Sequence, residues 1–371
     1  MKFSISSSDL VKGLSSVNGA VPTKATLPIL EMVLFEAEGQ SLKLTATDLD
    51  TSIVEQLEAD VEESGSVAIP AKRLLETLRQ LPDIPVFFTI NEQYQIEFKT
   101  DRGKYKLAGV KGEEFPAVPA LEDSVELEIP ADVLKEAIQN TTFAVSTDDL
   151  RPAMMGVYFQ VNSHESRIVS TDGHRLVRLV DHDMTSEKEL KFIVPEKALT
   201  QVHKTFDGGK TSVTVSEDHV RFKNDDTIIV SRLIDAQYPN YESVIPREND
   251  RLLRINKDEM LATVRRVSIF SSTTTKQIRL ELSKDKVEIC AEDIDMSSEA
   301  KESVKCEYDN EEMVIGFNAK YLADVLTHIE DDEVEFAFST PNRAGIVRPL
   351  VREDNREMLM LVMPVMLNTY A

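Results

Sequence analysis

The sequence predicts an α+β fold of six similar half-units, two to a domain, making three similar domains. Two observations predict it. A β-rich run that ends in a helix-start signal and passes into an amphipathic helix occurs six times, at a spacing of about 60 to 65 residues; a fixed long period marks a repeat architecture. Between these helices apolar and polar residues alternate with period two, as in strands with one buried and one wet face.

The six starts come in order along the chain. Ile5-Ser6 leads into Leu10–Val17, Ile69-Pro70 into Leu74–Leu81, and Ile129-Pro130 into Val133–Thr141. Val194-Pro195 leads into Leu199–Phe206, Ile255-Asn256 into Met260–Val267, and Phe317-Asn318 into Leu322–Ile329. Alternation marks strands at 41–47, 94–99, 211–215 and 286–290, and turn residues lie between strands at Glu38-Gly39, Asp101-Arg102-Gly103, Asn162-Ser163 and Asp207-Gly208-Gly209. Each half-unit is therefore one helix plus about four short strands.

Related phrases close alternate half-units. Thr45-Ala46-Thr47-Asp48-Leu49-Asp50, Val169-Ser170-Thr171-Asp172-Gly173-His174 and Cys290-Ala291-Glu292-Asp293-Ile294-Asp295 end strands in the first, third and fifth. The second and fourth close on aromatic and proline residues, Glu114-Phe115-Pro116-Ala117-Val118-Pro119 and the stretch from Gln237 to Pro246. Boundaries fall near 121–125 and 247–251, in charged or proline-flanked segments, giving domains 1–122, 123–248 and 249–371.

A chain of 371 residues with sparse Pro and Gly is long enough for two or three domains with cores of their own. Its two cysteines, Cys290 and Cys306, are not a close metal-ligand pair and do not form a disulfide framework, so a reducing cytoplasm is the expected compartment. The first residues lack the apolar core of a signal peptide, and no apolar run reaches membrane-spanning length, so no membrane partner is expected. A net charge of −23 argues, taken alone, against nucleic acid. Distribution decides binding, however, and the helices together come out at about +3. Lys72, Arg73 and Arg79 stand against Glu76 on the second helix, and Lys197 and Lys204 against Glu196 on the fourth. Lys257, Arg265 and Arg266 stand against Asp258 and Glu259 on the fifth. Cations gather at helix C-termini to suit the macrodipole, but Lys72, Arg73 and Lys197 sit in first turns, where that explanation fails.

No catalytic or metal-binding signature stands out, and no cofactor is expected. Gly208-Gly209-Lys210-Thr211 resembles the end of a phosphate-binding loop, but Lys204 occupies the position of the required glycine and the stretch follows a helix instead of preceding one. Thr171-Asp172-Gly173-His174-Arg175 groups an acid, an imidazole and a guanidinium, yet Asp172-Gly173 is first a turn signal and no nucleophile with a matched base accompanies it. The apolar run Leu359–Leu367 reads as a last core strand that must end at Pro364, leaving Val365, Met366 and Leu367 partly free. Methionines recur at surfaces that accept several partners.

Taken together, Met1-Lys2-Phe3, Thr26-Leu27-Pro28-Ile29-Leu30, Thr47-Asp48-Leu49, Thr171 to Leu176, Gly316-Phe317-Asn318 and Met363-Pro364 make the chain resemble the bacterial sliding clamps, the beta subunits of DNA polymerase III, over essentially its whole length. The resemblance implies a DNA clamp fold: a head-to-tail homodimeric ring with helices lining the interior and sheets outside, which encircles duplex DNA without sequence preference. It implies a non-enzymatic processivity factor, cytoplasmic and nucleoid-associated. Its partners would be the replicative polymerase, the clamp loader and other proteins carrying short clamp-binding peptides. By position, Lys24 and Lys72 match DNA-facing residues; Arg73, Arg79, Lys197, Arg265 and Arg266 join them from the helix reading. Asp148, Pro152 and Ala153 stand at further DNA-contact positions without the aromatic or amide side chains found in some relatives.

The resemblance also implies a cleft for partner peptides. Its positions here are Met154, Thr171, Gly173, His174, Arg175, Leu176, Pro239, Val244, Tyr321, Val362, Met363, Pro364, Val365 and Met366. Ser243 and Thr275 replace an arginine and an aromatic of some relatives, which makes the rim less basic and less aromatic.

Overall fold

The structure, a computed structural model, describes residues 1–351 and 355–367. The repeat is visible as a leading strand, a helix and a meander of three strands. The first half-unit holds β1 (Lys2–Ser6), α1 (Ser7–Val17), β2 (Met32–Glu38), β3 (Ser41–Thr47) and β4 (Thr51–Glu58), with β5 (Asp60–Glu63) appended. Next come β6 (Gly65–Pro70), α2 (Ala71–Leu78), β7 (Pro85–Ile90), β8 (Gln95–Lys99) and β9 (Lys104–Ala108), with the short β10 (Val110–Lys111). The third has β11 (Val125–Pro130), α3 (Ala131–Thr142), β12 (Gly156–Val161), β13 (Ser166–Thr171) and β14 (Arg175–Asp181). The fourth has β15 (Leu190–Pro195), α4 (Glu196–Thr205), β16 (Lys210–Val215), β17 (His219–Asn224) and β18 (Thr227–Arg232). The fifth has β19 (Arg251–Asn256), α5 (Lys257–Ser268), β20 (Gln277–Ser283), β21 (Lys286–Asp293) and β22 (Ser298–Lys305). The last has β23 (Met313–Asn318), α6 (Ala319–Thr327), β24 (Glu333–Phe338), β25 (Gly345–Pro349) and β26 (Arg356–Val362).

Each helix starts where the leading strand stops. The side chains of Ser6, Asn256 and Asn318 accept from the Asp9, Glu259 and Lys320 amides and so cap α1, α5 and α6. Pro70 stands at the N-cap of α2, where it brings no side-chain acceptor but its missing amide costs nothing. The helices begin about three residues earlier than their apolar patterns, because the first turn is read from caps and not from burial.

Strand pairing explains why half-units come in twos. The leading strand of each joins the first meander strand of its neighbour: β1 with β7 and β6 with β2, β11 with β16 and β15 with β12, β19 with β24 and β23 with β20. Two further antiparallel pairings join meanders far apart in sequence. β4 pairs with β18 from Thr51↔Ser231 to Glu55↔Thr227, and β14 pairs with β26 from Arg175↔Val362 to Asp181↔Arg356. The result is four sheets, of five, nine, eight and four strands.

These pairings group the chain into two compact units, Met1–Glu136 with Lys197–Leu233, and Ala137–Glu196 with Ile234–Ala371. The middle of the sequence is shared between them, since β4–β18 binds half of it to the first unit and β14–β26 binds the other half to the second. Within the first unit α1 and α2 pack side by side, and an aromatic row crosses the five-stranded sheet: Phe3 on Phe88 (4.7 Å), Phe88 on Phe98 (5.4 Å), Phe98 on Tyr105 (4.8 Å). One ring per strand fixes the register out to β9. In the second unit α5 and α6 pack together, and Met260, Val264, Val267, Leu322 and Val325 close over Ile278, Leu280, Phe317 and Phe336. Burial of each such side chain stabilises the fold by about 1.5–3 kcal/mol.

Glu335, buried on β24, receives Arg254 Nε at 3.0 Å and Arg348 Nε at 2.7 Å from the two flanking strands. Burial pushes its carboxyl up, but the hydrogen bonds from Arg348 and Arg254 outweigh this and hold it below its ordinary 4.5. A carboxyl lowered on folding stabilises the native state above its unfolded value, and that contribution is lost as pH falls through the folded value. Glu335→Gln is expected to cost about 1–3 kcal/mol near neutral pH, with the deficit shrinking in acid; urea midpoints at the two pH values measure both.

Candidate functional site

The site in the second unit grows from one turn. Asp172, at the end of β13, accepts the His174 amide at 2.8 Å and the Arg175 amide at 2.9 Å, while Thr171 Oγ1 accepts the Gly173 amide at 3.1 Å and donates to the Arg175 carbonyl at 2.7 Å. The same turn recurs where the sequence phrases repeat. Asp48 accepts the Asp50 and Thr51 amides, and Asp293 those of Asp295 and Met296. Gly173 sits at φ 87, and Leu49, its counterpart, at φ 81. The acid in the phrase is thus engaged in a turn.

Arg175 leaves this turn inward and is 7% exposed. Its Nε donates to Asp172 Oδ2 at 3.1 Å, Nη1 to Asp324 Oδ2 at 2.5 Å and Nη2 to the Phe143 carbonyl at 2.6 Å. The Phe143 and Tyr321 rings lie 5.3 and 5.0 Å from its Cζ. His174 points outward and stacks on Tyr321 at 5.4 Å, and its carbonyl accepts the Met363 amide at 2.8 Å.

Above the turn lies a groove of about 150 Å³, lined by Met154, Thr171, Gly173, Arg175, Leu176, Pro239, Asn240, Tyr241, Val244, Leu361 and Met363. Its floor is firm: Leu176, Tyr241 and Leu361 belong to a buried cluster with Val169, Ile193 and Tyr238. Burial raises the phenol groups of Tyr238 and Tyr241, so both stay protonated, Tyr241 donating to Gln160 Oε1 at 2.5 Å. Met363 and Val244 are exposed at the rim. A few ordered apolar contacts round a firm floor suit an extended peptide with apolar anchors.

The structure brings together eight of the cleft positions assigned by resemblance, namely Met154, Thr171, Gly173, Arg175, Leu176, Pro239, Val244 and Met363. His174 and Tyr321 form a stacked pair that does not line it, and Pro364 follows Met363 past the end of β26. Val362 points the other way, into the core beside Val177, because neighbours in a strand face opposite sides. Val365 and Met366 line a second hollow of about 840 Å³ with Leu367, Val314 and Ile294. Val365 is not free, since its amide donates to the Gly316 carbonyl at 2.9 Å, whereas Met366 is 83% exposed. Asn240, Tyr241 and Leu361 were missed in the sequence reading. Leu361 was legible from period two, standing two residues before Met363; for Asn240 and Tyr241 the only signal was the aromatic phrase around Pro239.

All seven basic candidates are exposed, but their surroundings differ. Among the described residues Lys24, Lys72 and Arg73 have no ion-pair partner. Arg79 reaches Ser15 on α1 at 3.3 Å and Arg265 reaches Thr327 on α6 at 3.2 Å, contacts that keep their charge. Lys197 forms an ion pair with Asp48, and Arg266 makes a two-pronged pair with Glu302 at 2.6–3.2 Å. Those carboxylates, distant in sequence, cancel the charge of these two cations. His203 on α4 is held below its ordinary value first by burial and then by the Lys135 and Lys204 cations. Asp148 pairs with Arg151 at 2.9 Å beside exposed Leu150. Gly208 and Gly209, at φ 61 and 67, turn the chain from α4 into β16. No group of three or more metal-ligand side chains is gathered among the described residues, and none of their helices is long and apolar enough to cross a membrane.

The DNA polymerase III beta-subunit family matches in three successive parts: its N-terminal domain over residues 1–119, its central domain over 128–240 and its C-terminal domain over 242–365. The beta sliding clamp of Pseudomonas aeruginosa is 32% identical over 99% of this chain and 100% of its own. The chain belongs to the DNA polymerase III beta-subunit family, the bacterial sliding clamps. The Bacillus subtilis beta sliding clamp is 29% identical over 98% of this chain and 99% of its own. Solved sliding clamps superpose closely: that of P. aeruginosa bound to griselimycin (TM-score 0.94, 32% identity, 99% of this chain and 100% of that one) and that of B. subtilis (0.94, 27% identity, 99% of each). The architecture described above is therefore the three-domain DNA clamp fold, and the function is that of a DNA polymerase III processivity factor.

Gly173 is a point where a side chain would strain the turn, as Leu49 does at φ 81 in its counterpart. A Cβ added there would lie 2.9 Å from Arg151 Nη1, in a backbone region that side chains rarely adopt. Gly173→Ala is expected to cost about 1–3 kcal/mol, read as a lower urea midpoint with an unchanged slope.

Proposed function

We infer that this processivity factor works by enclosure: two copies join head to tail into a ring, and DNA is held by topology instead of by affinity. The reading is carried by the strand-pairing pattern. Meander edges β4 and β14 find partners in β18 and β26, while β9 and β22 carry no further strand in their sheets. Pairing β9 of one copy with β22 of the other completes the pattern twice over and leaves no open edge at either joint. Their chemistry supports this. β9 offers half-buried Tyr105 between Lys104 and Lys106, which already pair with Glu97, and β22 carries Glu299 and Glu302 alongside Lys301 and Lys305, so charge is balanced on both edges; β22 lies next to α5, whose end exposes the apolar Ile269 and Phe270. Three domains, 1–122, 123–248 and 249–371, belong to this reading, and the reciprocal exchange of leading strands within each pair of half-units supports them.

Lys24, Lys72, Arg73, Arg79 and Arg265 then meet phosphates without reading bases, and contacts of this kind are weak, salt-sensitive and indifferent to sequence. Lys197 and Arg266 add less, because Asp48 and Glu302 already hold them. An acidic remainder keeps DNA from adhering elsewhere. The groove beside Met363 receives the anchoring peptides of the polymerase, the clamp loader and other replication proteins in the bacterial cytoplasm, with no catalytic step of its own.

Retention on circular DNA tests enclosure. The protein, loaded on a nicked plasmid, should stay bound through gel filtration and be lost once the plasmid is linearised. Lys72→Glu with Arg73→Glu should lower loading and flatten its salt dependence by about two counterions while leaving peptide binding intact. Equal retention on circular and linear DNA rejects the reading.

A further inference from the structure

The groove's most polar member has its charge already satisfied from below. Arg175 directs Nε, Nη1 and Nη2 at Asp172, Asp324 and the Phe143 carbonyl, so each nitrogen has an acceptor and one guanidinium faces two carboxylates. Asp324 stands on α6, its side chain 35% exposed, and does not line the groove. A closed circuit holds it. His328 Nδ1 lies 2.8 Å from the Asp324 carbonyl, and the His328 ring stacks on Phe143 at 3.8 Å, whose own carbonyl takes Arg175 Nη2. Arg175 thus ties the Thr171–Arg175 turn to the end of α3 and to α6, and that turn supplies Thr171, Gly173 and Leu176 to the groove.

We propose that Asp324 is a positioning residue of the cleft: by fixing Arg175 as an internal strut it preorganises the groove wall and reserves the groove for uncharged, apolar anchors, not acidic ones. This deepens the reading of the groove as a partner-peptide site and rests on it. A lone buried guanidinium would attract a peptide carboxylate. With Asp172 and Asp324 beside it the local charge is not positive, and its three nitrogens already have acceptors. Asp324 acts at one remove, by removing the entropy cost of ordering the wall when the peptide arrives.

Two fluorescein-labelled hexapeptides test this, one with leucine and phenylalanine anchors and one with a glutamate in place of the phenylalanine. The unaltered protein should bind the apolar peptide at least about tenfold tighter. Asp324→Asn should weaken the apolar peptide about tenfold and narrow its advantage over the glutamate peptide, while Asp324→Glu restores most of the loss. Retention on nicked plasmid, counted per molecule already loaded, should not change. Asp324→Ser repeats the test should the amide variant not fold. Binding of the apolar peptide by Asp324→Asn within twofold of the unaltered protein, or a preference of the unaltered protein for the glutamate peptide, overturns the proposal. Binding of neither peptide by the unaltered protein removes the cleft reading itself.

Discussion

Antiparallel pairing between meanders far apart in sequence is the interaction on which the rest of the molecule depends. A single half-unit is one helix over a narrow sheet and cannot bury that sheet's edges. Exchange of leading strands satisfies one edge within each pair, and β4–β18 and β14–β26 satisfy the next. Every backbone amide so placed is a donor that would otherwise need water or another chain. The same pairing sets the function. It fixes β14 beside β26, which brings the Thr171–Leu176 turn against Leu361 and Met363 and so makes the groove. It also leaves β9 and β22 as the edges through which two copies would meet.

Charge is organised on the same frame. The chain carries −23, yet α2 presents Lys72 and Arg73 without an ion-pair partner among the described residues. Elsewhere the sheets supply the counter-charge, as Glu302 on β22 does for Arg266. A ring that slides needs weak contacts, because strong ones would hold it in place. Of the seven basic candidates five keep their charge and two, Lys197 and Arg266, are neutralised, which fits that requirement better than a uniformly basic channel would.

Much of this was legible in the sequence because it is local. Ser6, Asn256 and Asn318 announce helix starts through hydrogen bonds within three residues, and the alternation in 41–47 or 286–290 announces strands by period alone. Asp172-Gly173 announces a turn for the same reason. What escaped is non-local. No pattern within α4 or α5 reveals that Lys197 meets Asp48 or that Arg266 meets Glu302, since those partners arrive through folding. The division of the chain's middle between two compact units was equally hidden, because strand pairing across about 170 residues or more leaves no mark on periodicity. The groove lies between these extremes. Met363 and Val244 came from resemblance and Leu361 follows from strand period, whereas the role of Asp324 appears only when α6 is placed against the turn.

The central claim is that two copies close around the duplex through β9 and β22. Electron cryomicroscopy of the purified protein on plasmid DNA tests it most directly. The account predicts a closed two-fold particle in which β9 of each copy continues the sheet of its partner's β22 and a channel admits a B-form duplex. A dimer joined through any other face, or a particle with no such channel, contradicts it.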